Sequence, residues 1–271
     1  MKNPYLDFVE AFRNAPQLVQ GASLSRKTPV VESERKVLLF SPHPDDEIIT
    51  GLLPLRLMRE AGAQVINVPV TFGSNPSRRA GRAAELKAAC DYLGFQTLEE
   101  TGCRPQRGFQ NLEKENIAEL LTAFQPVAIF VPHADDWNTR HEATHHLVID
   151  ALSTLPVAFS CLVFETEFWH PMKNPNLMVE ADTPMLADLI AALALHAGEV
   201  ARNPYHLSLP AWMMDNVRRG GEVVLGQGGT PPAFAFATLY RLHRWADGKF
   251  FQPLENGRVL GCNQNVGDLL T

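Results

Sequence analysis

The chain has 271 residues, 45% hydrophobic and 20% charged, with a net charge of −6. That is enough apolar material for one large domain, or one domain with a C-terminal elaboration. The absence of any lysine or arginine run argues against a nucleic-acid or anionic-membrane partner held by bulk electrostatics.

Residues 1–20 are expected to form an amphipathic helix, with Leu6, Phe8, Val9 and Phe12 as a partial apolar stripe. The opening MKNPYLDFVEAFRNA carries acids and lacks the continuous apolar stretch of a signal peptide, and no segment is long and apolar enough to span a bilayer. Cys90, Cys103, Cys161 and Cys262 form no CxxC pair, which fits reduced thiols better than disulfides or a cysteine zinc site. A soluble, cytoplasmic protein is therefore expected.

After a polar connector, KVLLFSP (36–42) reads as a strand covered on both faces. DEIITGLLPLRLMREAG (46–62) reads as a helix that Pro54 should kink or restart, and AQVINVPVTFG (63–73) as a second strand. Residues 78–95 are predicted helical up to Gly94, followed by a strand near 96–101, a helix over 111–126 and a buried strand over 127–133. A helix over 141–155, a strand over 157–168 and a helix over 183–201 follow. Residues 203–232 are rich in proline and glycine, and 234–245 reads as a strand. Strands alternating with helices of this length imply an α/β fold with a mostly parallel, twisted sheet and helices on both faces. The expected organisation is an N-terminal helix and connector (1–35), a catalytic core (36–200) and a C-terminal elaboration (201–271) packed on the same domain.

In such sheets ligands bind at the carboxyl ends of strands, and two strands here end alike. The first runs LLFSPHPDDE and the second AIFVPHADDWNTRH. Alone, SPHPDDE (41–47) could be an acidic helix cap, half of a metal site or a phosphate-handling carboxylate cluster. Two such junctions at equivalent positions favour a site. Prolines 42 and 44 stiffen the turn that carries His43, Asp45 and Asp46. Histidine plus carboxylate is a usable zinc ligand set, which a third nitrogen from the second junction, where His141 starts a helix, would complete.

PHPDDE after a strand, then RAAEL and LGF, then a second Asp/His cluster after a later strand, resembles the PIG-L/LmbE-like family of zinc-dependent de-N-acetylases. The matching order covers roughly residues 36–200, and ALALHAGEV (192–200) resembles the family's late helix more loosely. The resemblance implies a Rossmann-like fold, one zinc ion per chain, and hydrolysis of an N-acetylated sugar or glycoconjugate to acetate and a free amine. It makes His43, Asp46 and His141 the metal ligands and Asp45 the general base. Arg82 and Glu85 match its R-x-x-E helix, which supports the site or faces substrate. Asp136 matches the aspartate that orients the last histidine.

The family's second motif is usually His-x-Asp-His, and here Asn138 stands where its first histidine is expected. Asn138 can donate to an oxyanion but cannot act as a general acid, which leaves proton delivery to Asp45, His133 or His145. His145, four residues after His141, is expected to line the pocket, and Trp137 to stack on a sugar or pack the loop. Arg82 is balanced between an anion-binding rim and a solvated helix start, to which Arg78 and Arg79 incline. GQGGTPP (226–232) lacks the lysine of a phosphate loop and fits a loop over the pocket. His170, His196, His206 and His243 default to structural roles. The alternatives are a metal-dependent hydrolase of another amide or acyl substrate, and a zinc-binding relative with impaired turnover. Relatives often assemble, so a homo-oligomer is open.

Overall fold

The structure is a computed structural model that describes residues 3–15, 24, 26–103 and 111–270. Its strands are β1 (Lys36–Ser41), β2 (Gln64–Pro69), β3 (Gln96–Thr97), β4 (Ala128–Pro132), β5 (Cys161–Thr166), β6 (Leu177–Glu180), β7 (Ala237–Ala246), β8 (Lys249–Phe251) and β9 (Arg258–Leu260). They form one sheet in the order β3-β2-β1-β4-β5-β7-β6-β9, with β8 paired to β7. Strands β1 to β5 are mutually parallel, whereas β7 runs antiparallel to β5, β6 and β8.

Successive side chains of a strand point to opposite faces, and the core divides accordingly. Val37, Leu39, Ala128, Phe130, Leu162 and Phe164 join one buried cluster. Leu38, Phe40, Ile129, Val131, Cys161 and Val163 join the other. Helices Leu52–Ala61, Arg79–Leu93 and Thr183–Ala194 cover the first face, and helices Lys114–Phe124 and Thr139–Leu152 the second. This is why the parallel strands read as unbroken apolar runs: neither face meets water. Among the described residues, no helix is long and apolar enough to cross a membrane.

The expected helix over 46–62 is two helices, Asp46–Ile49 and Leu52–Ala61, broken at Thr50 and Gly51. Pro54 lies in the first turn of the second, where its missing N–H costs no hydrogen bond. Of the strand near 96–101 only Gln96–Thr97 is extended, and a 3-10 turn follows over Leu98–Thr101. The helix over 183–201 is interrupted after Ala194 and resumes as Ala197–Val200. At the N-terminus, Leu6–Arg13 is helical and buries none of its residues, and residues 16–23 lie outside those described.

The proline- and glycine-rich stretch contains an unforeseen helix, Leu209–Val223. Its Pro210 sits in the first turn, and its glycines serve close packing. A Cβ on Gly220 would lie 2.8 Å from Met178 Sδ, and one on Gly221 2.9 Å from Pro231 Cγ. The last strands are tied to the core by Arg56, whose side chain is fully buried. It donates to the carbonyl oxygens of Glu180, Leu260, Gly261 and Gln264 and pairs with both carboxylate oxygens of Glu60.

Candidate functional site

The sheet order places the chemistry. From β1 the chain moves outward through β2 and β3, then crosses back so that β4 pairs with the other edge of β1. Such a reversal opens a crevice at the carboxyl ends of the two central strands. Those ends are where SPHPDDE leaves β1 and PHADDWNTRH leaves β4, so the two junctions, about ninety residues apart in the chain, become neighbours.

At their meeting point His43 Nδ1 lies 3.5 Å from Asp46 Oδ2, and His141 Nε2 lies 3.3 Å from the same oxygen. One ligand atom from each of the three falls within 4.8 Å of the others. Tetrahedral zinc with bonds near 2.1 Å holds its ligand atoms about 3.4 Å apart, so this spacing suits it. His141 Nε2 is buried and has no hydrogen-bond partner, an expensive omission unless a cation satisfies it. Three candidate ligands, two of them on the wall of a cleft, match the number of protein ligands that an open type of zinc site uses.

The second junction positions its histidine from behind. Asp136, 2% exposed, lies with Oδ2 3.3 Å from His141 Nδ1, while its Oδ1 accepts the Asn138 N–H at 2.9 Å. Asn138 caps the Thr139–Leu152 helix, its Oδ1 accepting the Arg140 N–H at 3.0 Å. That bond identifies the amide oxygen and leaves the NH2 group as donor beside the cleft.

Asp45 is the unusual residue of the first junction. Its φ is 120°, a region that costs a non-glycine residue about 1–3 kcal/mol. Its N–H donates to Glu47 Oε2 at 2.8 Å, and the Tyr205 hydroxyl donates to its Oδ2 at 2.5 Å. Glu47 is fully buried, and its Oε1 lies 2.8 Å from Nε2 of the equally buried His196.

The electrostatics follow from burial and charge pairing. Burial first, and then the neighbouring Asp46 charge, push Asp45 up to about 8. For Asp46 burial acts upward, but His141 and His43 outweigh it and hold the carboxyl far below the usual carboxylate range. For His141 burial acts downward, but Asp46 and Asp136 together raise it to about 10.

A cleft of about 670 Å³ opens over these groups, lined among others by His43, Asp45, Asp46, Trp137 and Asn138. Arg78, Arg82, Glu199 and Arg202 also line it. Glu199 is buried, and all three arginines approach its carboxylate. Arg82 also donates to the Pro44 carbonyl at 3.1 Å, which ties the first junction to its helix. Gly73, at φ 85°, leaves room for this guanidinium, since a Cβ there would stand 2.5 Å from Arg82 Nη1. Glu85 does not line the cleft; its Oε1 accepts the Gly198 N–H at 2.8 Å and props the turn that carries Glu199. Trp137 is 64% exposed at the cleft, its indole N–H donated to the Trp169 carbonyl at 2.7 Å.

His145 departs from expectation and does not line the cleft. Its Nδ1 sits 2.9 Å from the Pro132 carbonyl and 3.5 Å from Glu165. One helical turn below His141 is about 6 Å deeper, beneath the strand end. His133 is buried against the His170 carbonyl and is also absent from the cleft wall. His196, expected to be merely structural, reaches the first junction through Glu47. Tyr205 and Glu199 were missed, because nothing in their local pattern marks residues that a distant segment folds onto a strand end.

A group of three residues able to hold a metal ion, at the switch point of an α/β sheet, is the class of site the geometry defines. Residues 38–152 match the PIG-L family, described as GlcNAc-PI de-N-acetylase. A protein of Bacillus anthracis, named "Probable N-acetyl-alpha-D-glucosaminyl L-malate deacetylase 2", is 30% identical over 200 residues, covering 63% of this chain and 84% of that protein. The chain belongs to the PIG-L family. Among solved structures, the N,N'-diacetylchitobiose deacetylase of Pyrococcus horikoshii aligns with a TM-score of 0.55 at 17% identity, over 89% of this chain and 93% of that one. The 4-carboxy-2-hydroxymuconate hydratase of Pseudomonas putida aligns with a TM-score of 0.57 at 17% identity, over 77% and 95%. At these identities the structural likeness shows the fold alone.

Proposed function

We propose that the protein is a zinc-dependent N-deacetylase that hydrolyses the acetamide of an amino sugar or sugar conjugate, releasing acetate and a free amine. The observation that carries this reading is the convergence of His43, Asp46 and His141 on one point, with Asp45 lining the same cleft as His43 and Asp46, in a chain of the PIG-L family.

His43, Asp46 and His141 would hold the ion. When bound, zinc lowers the pKa of water towards neutrality and polarises a carbonyl oxygen. Asp45 is placed to take the proton of the attacking water. The Asn138 NH2 group is placed to donate to the carbonyl oxygen as negative charge develops there. When the C–N bond breaks, Asp45 returns the proton to the departing amine, because His133 and His145 do not line the cleft. Asp136, beside His141 Nδ1, would hold the ring in one tautomer and leave Nε2 free as the ligand nitrogen.

Substrate binding falls to the outer walls of the cleft. Trp137 offers an exposed ring for a sugar face. Arg78 and Arg202 outnumber the single Glu199 charge they share with Arg82, which suits an anionic aglycone, and the Bacillus anthracis relative is named for a malate conjugate.

Acetate release from a panel of N-acetylglucosamine conjugates tests the reading, run with zinc-loaded protein and with Asp45→Asn. Turnover by the parent chain, and its loss by at least about 100-fold in a variant that still binds zinc, is expected. A protein that binds zinc stoichiometrically yet releases no acetate from any conjugate would instead be a metal-binding member without this activity. A protein that binds no zinc refutes the site itself.

A further inference from the structure

Asp45 is gripped twice, once directly by Tyr205 and once through Glu47 by His196, and both Tyr205 and His196 come from beyond the 38–152 segment matching the family. The first grip is on the side chain, where the Tyr205 hydroxyl donates to Oδ2 at 2.5 Å. The second is on the backbone. Asp45 N–H donates to Glu47 Oε2, and the other Glu47 oxygen is engaged by His196 Nε2, each at 2.8 Å. Asp45 needs such fixing: at φ 120° its backbone would relax elsewhere unless neighbouring bonds held it.

We infer that Tyr205 and His196 are positioning residues for Asp45, Tyr205 by occupying Oδ2 and so leaving Oδ1 to meet a water, His196 by locking Glu47 under the Asp45 amide. The inference rests on the reading of Asp45 as the base. Burial alone would not require either arrangement. Tyr205 packs its ring edge-to-face against Trp169 and Phe168, with centroids 5.9 and 6.5 Å away, and that packing would be served equally by phenylalanine. The hydroxyl is therefore there for Asp45. Likewise, nothing in the apolar packing calls for a carboxylate at position 47, which is 0% exposed. Its two oxygens join Asp45 and His196 and are closed off from bulk solvent. The C-terminal segment thus completes the base, although the metal ligands lie on the two junctions before it.

Tyr205→Phe is the test, because it removes one oxygen and keeps the ring. Zinc affinity, kcat, KM and a crystal structure of the zinc-loaded variant are measured against the parent. The expected result is an Asp45 carboxylate turned from its parent orientation. With it, kcat should fall about 10–100-fold, as misplacements near 1 Å do, with zinc affinity and KM changed by less than about threefold. In the Asp45→Asn background the same substitution should then lower the residual rate no further, since the two residues act as one unit. His196→Ala should lower kcat similarly, and His196→Gln, which can still donate to Glu47, should restore most of it. An Asp45 carboxylate that keeps its orientation overturns the inference, as does an unchanged kcat in an active parent, or full additivity in the double variant. If the parent releases no acetate from any conjugate, the functional reading fails separately, and the Asp45 orientation in Tyr205→Phe still decides this inference.

Discussion

Asp136 offers the cleanest test of the proposed metal site, because it is not one of the three candidate ligands and does not line the cleft. Both of its oxygens are engaged as acceptors: Oδ2 stands 3.3 Å from His141 Nδ1, and Oδ1 takes the Asn138 N–H at 2.9 Å. Asn at this position keeps the volume but has one acceptor where two are needed, and no charge. Either His141 loses its orienting partner or the Asn138 amide faces a donor at 2% exposure. Partners of ligating histidines change metal affinity by about 10–100-fold, equivalent to about 1.4–2.8 kcal/mol. Asp136→Asn should therefore weaken zinc binding by that factor, read by competition against a chromophoric chelator at fixed pH, while the fold is monitored by circular dichroism. Asp136→Leu, which also removes the remaining acceptor, should weaken it further. A folded Asp136→Asn protein whose zinc Kd stays within about twofold of the parent would refute the view that Asp136 acts through His141.

Three further outcomes follow from the packing. Arg56→Met leaves four carbonyls and Glu60 without their buried partner and should cost about 3–5 kcal/mol. That lowers Tm by roughly 10 °C; an unchanged melting curve would show the C-terminal strands to be held otherwise. Gly51→Ala places a Cβ 2.4 Å from the Glu47 carbonyl oxygen and should cost about 1–3 kcal/mol, and a variant as stable as its parent in urea would contradict that contact. Glu199 feels burial, which acts upward, but Arg82, Arg202 and Arg78 outweigh it and lower its pKa. Its contribution to stability is accordingly full above the unfolded value of about 4.3 and is lost as pH falls through the lower folded value. Glu199→Gln should flatten the fall of stability below about pH 5, and urea titrations with the parent slope would count against the arginine cluster.

The sequence discloses the candidate metal site because its residues are local. His43 and Asp46 stand three apart on a proline-stiffened turn, and His141 opens the helix of a second junction of the same form. The alternation of strands and helices implies the parallel sheet, and the strand order, which makes β1 and β4 neighbours, comes from the structure. His145 fails for a physical reason: helical spacing of four keeps it on the face of His141, but the added depth carries it to the Pro132 carbonyl and Glu165. The Leu209–Val223 helix is hidden because glycine and proline mark loops on average. Here Gly220 and Gly221 exist to let a helix approach Met178 and Pro231, which only the tertiary structure reveals. Tyr205 and His196 are hidden likewise, since they become informative only where the chain returns to Asp45.

That division between local and returning residues bears on how the reaction is chosen. The fold aligns with a deacetylase of Pyrococcus horikoshii and with a hydratase of Pseudomonas putida at nearly equal TM-scores, 0.55 and 0.57, so strand order by itself does not select a chemistry. In this chain the strand ends supply the candidate metal ligands. Tyr205, which holds Asp45, His196, which holds Glu47 beneath it, and the Arg202 and Glu199 side chains of the cleft wall all arrive from residues 196–205. The Ala197–Val200 turn and Tyr205 are secured in turn by Glu85, by Arg78 and by the Thr183–Ala194 helix against which they pack. A single late segment therefore presents both Tyr205 and His196, which brace Asp45, and part of the cleft wall. Changes in that segment could alter reaction and specificity together while leaving His43, Asp46 and His141 untouched.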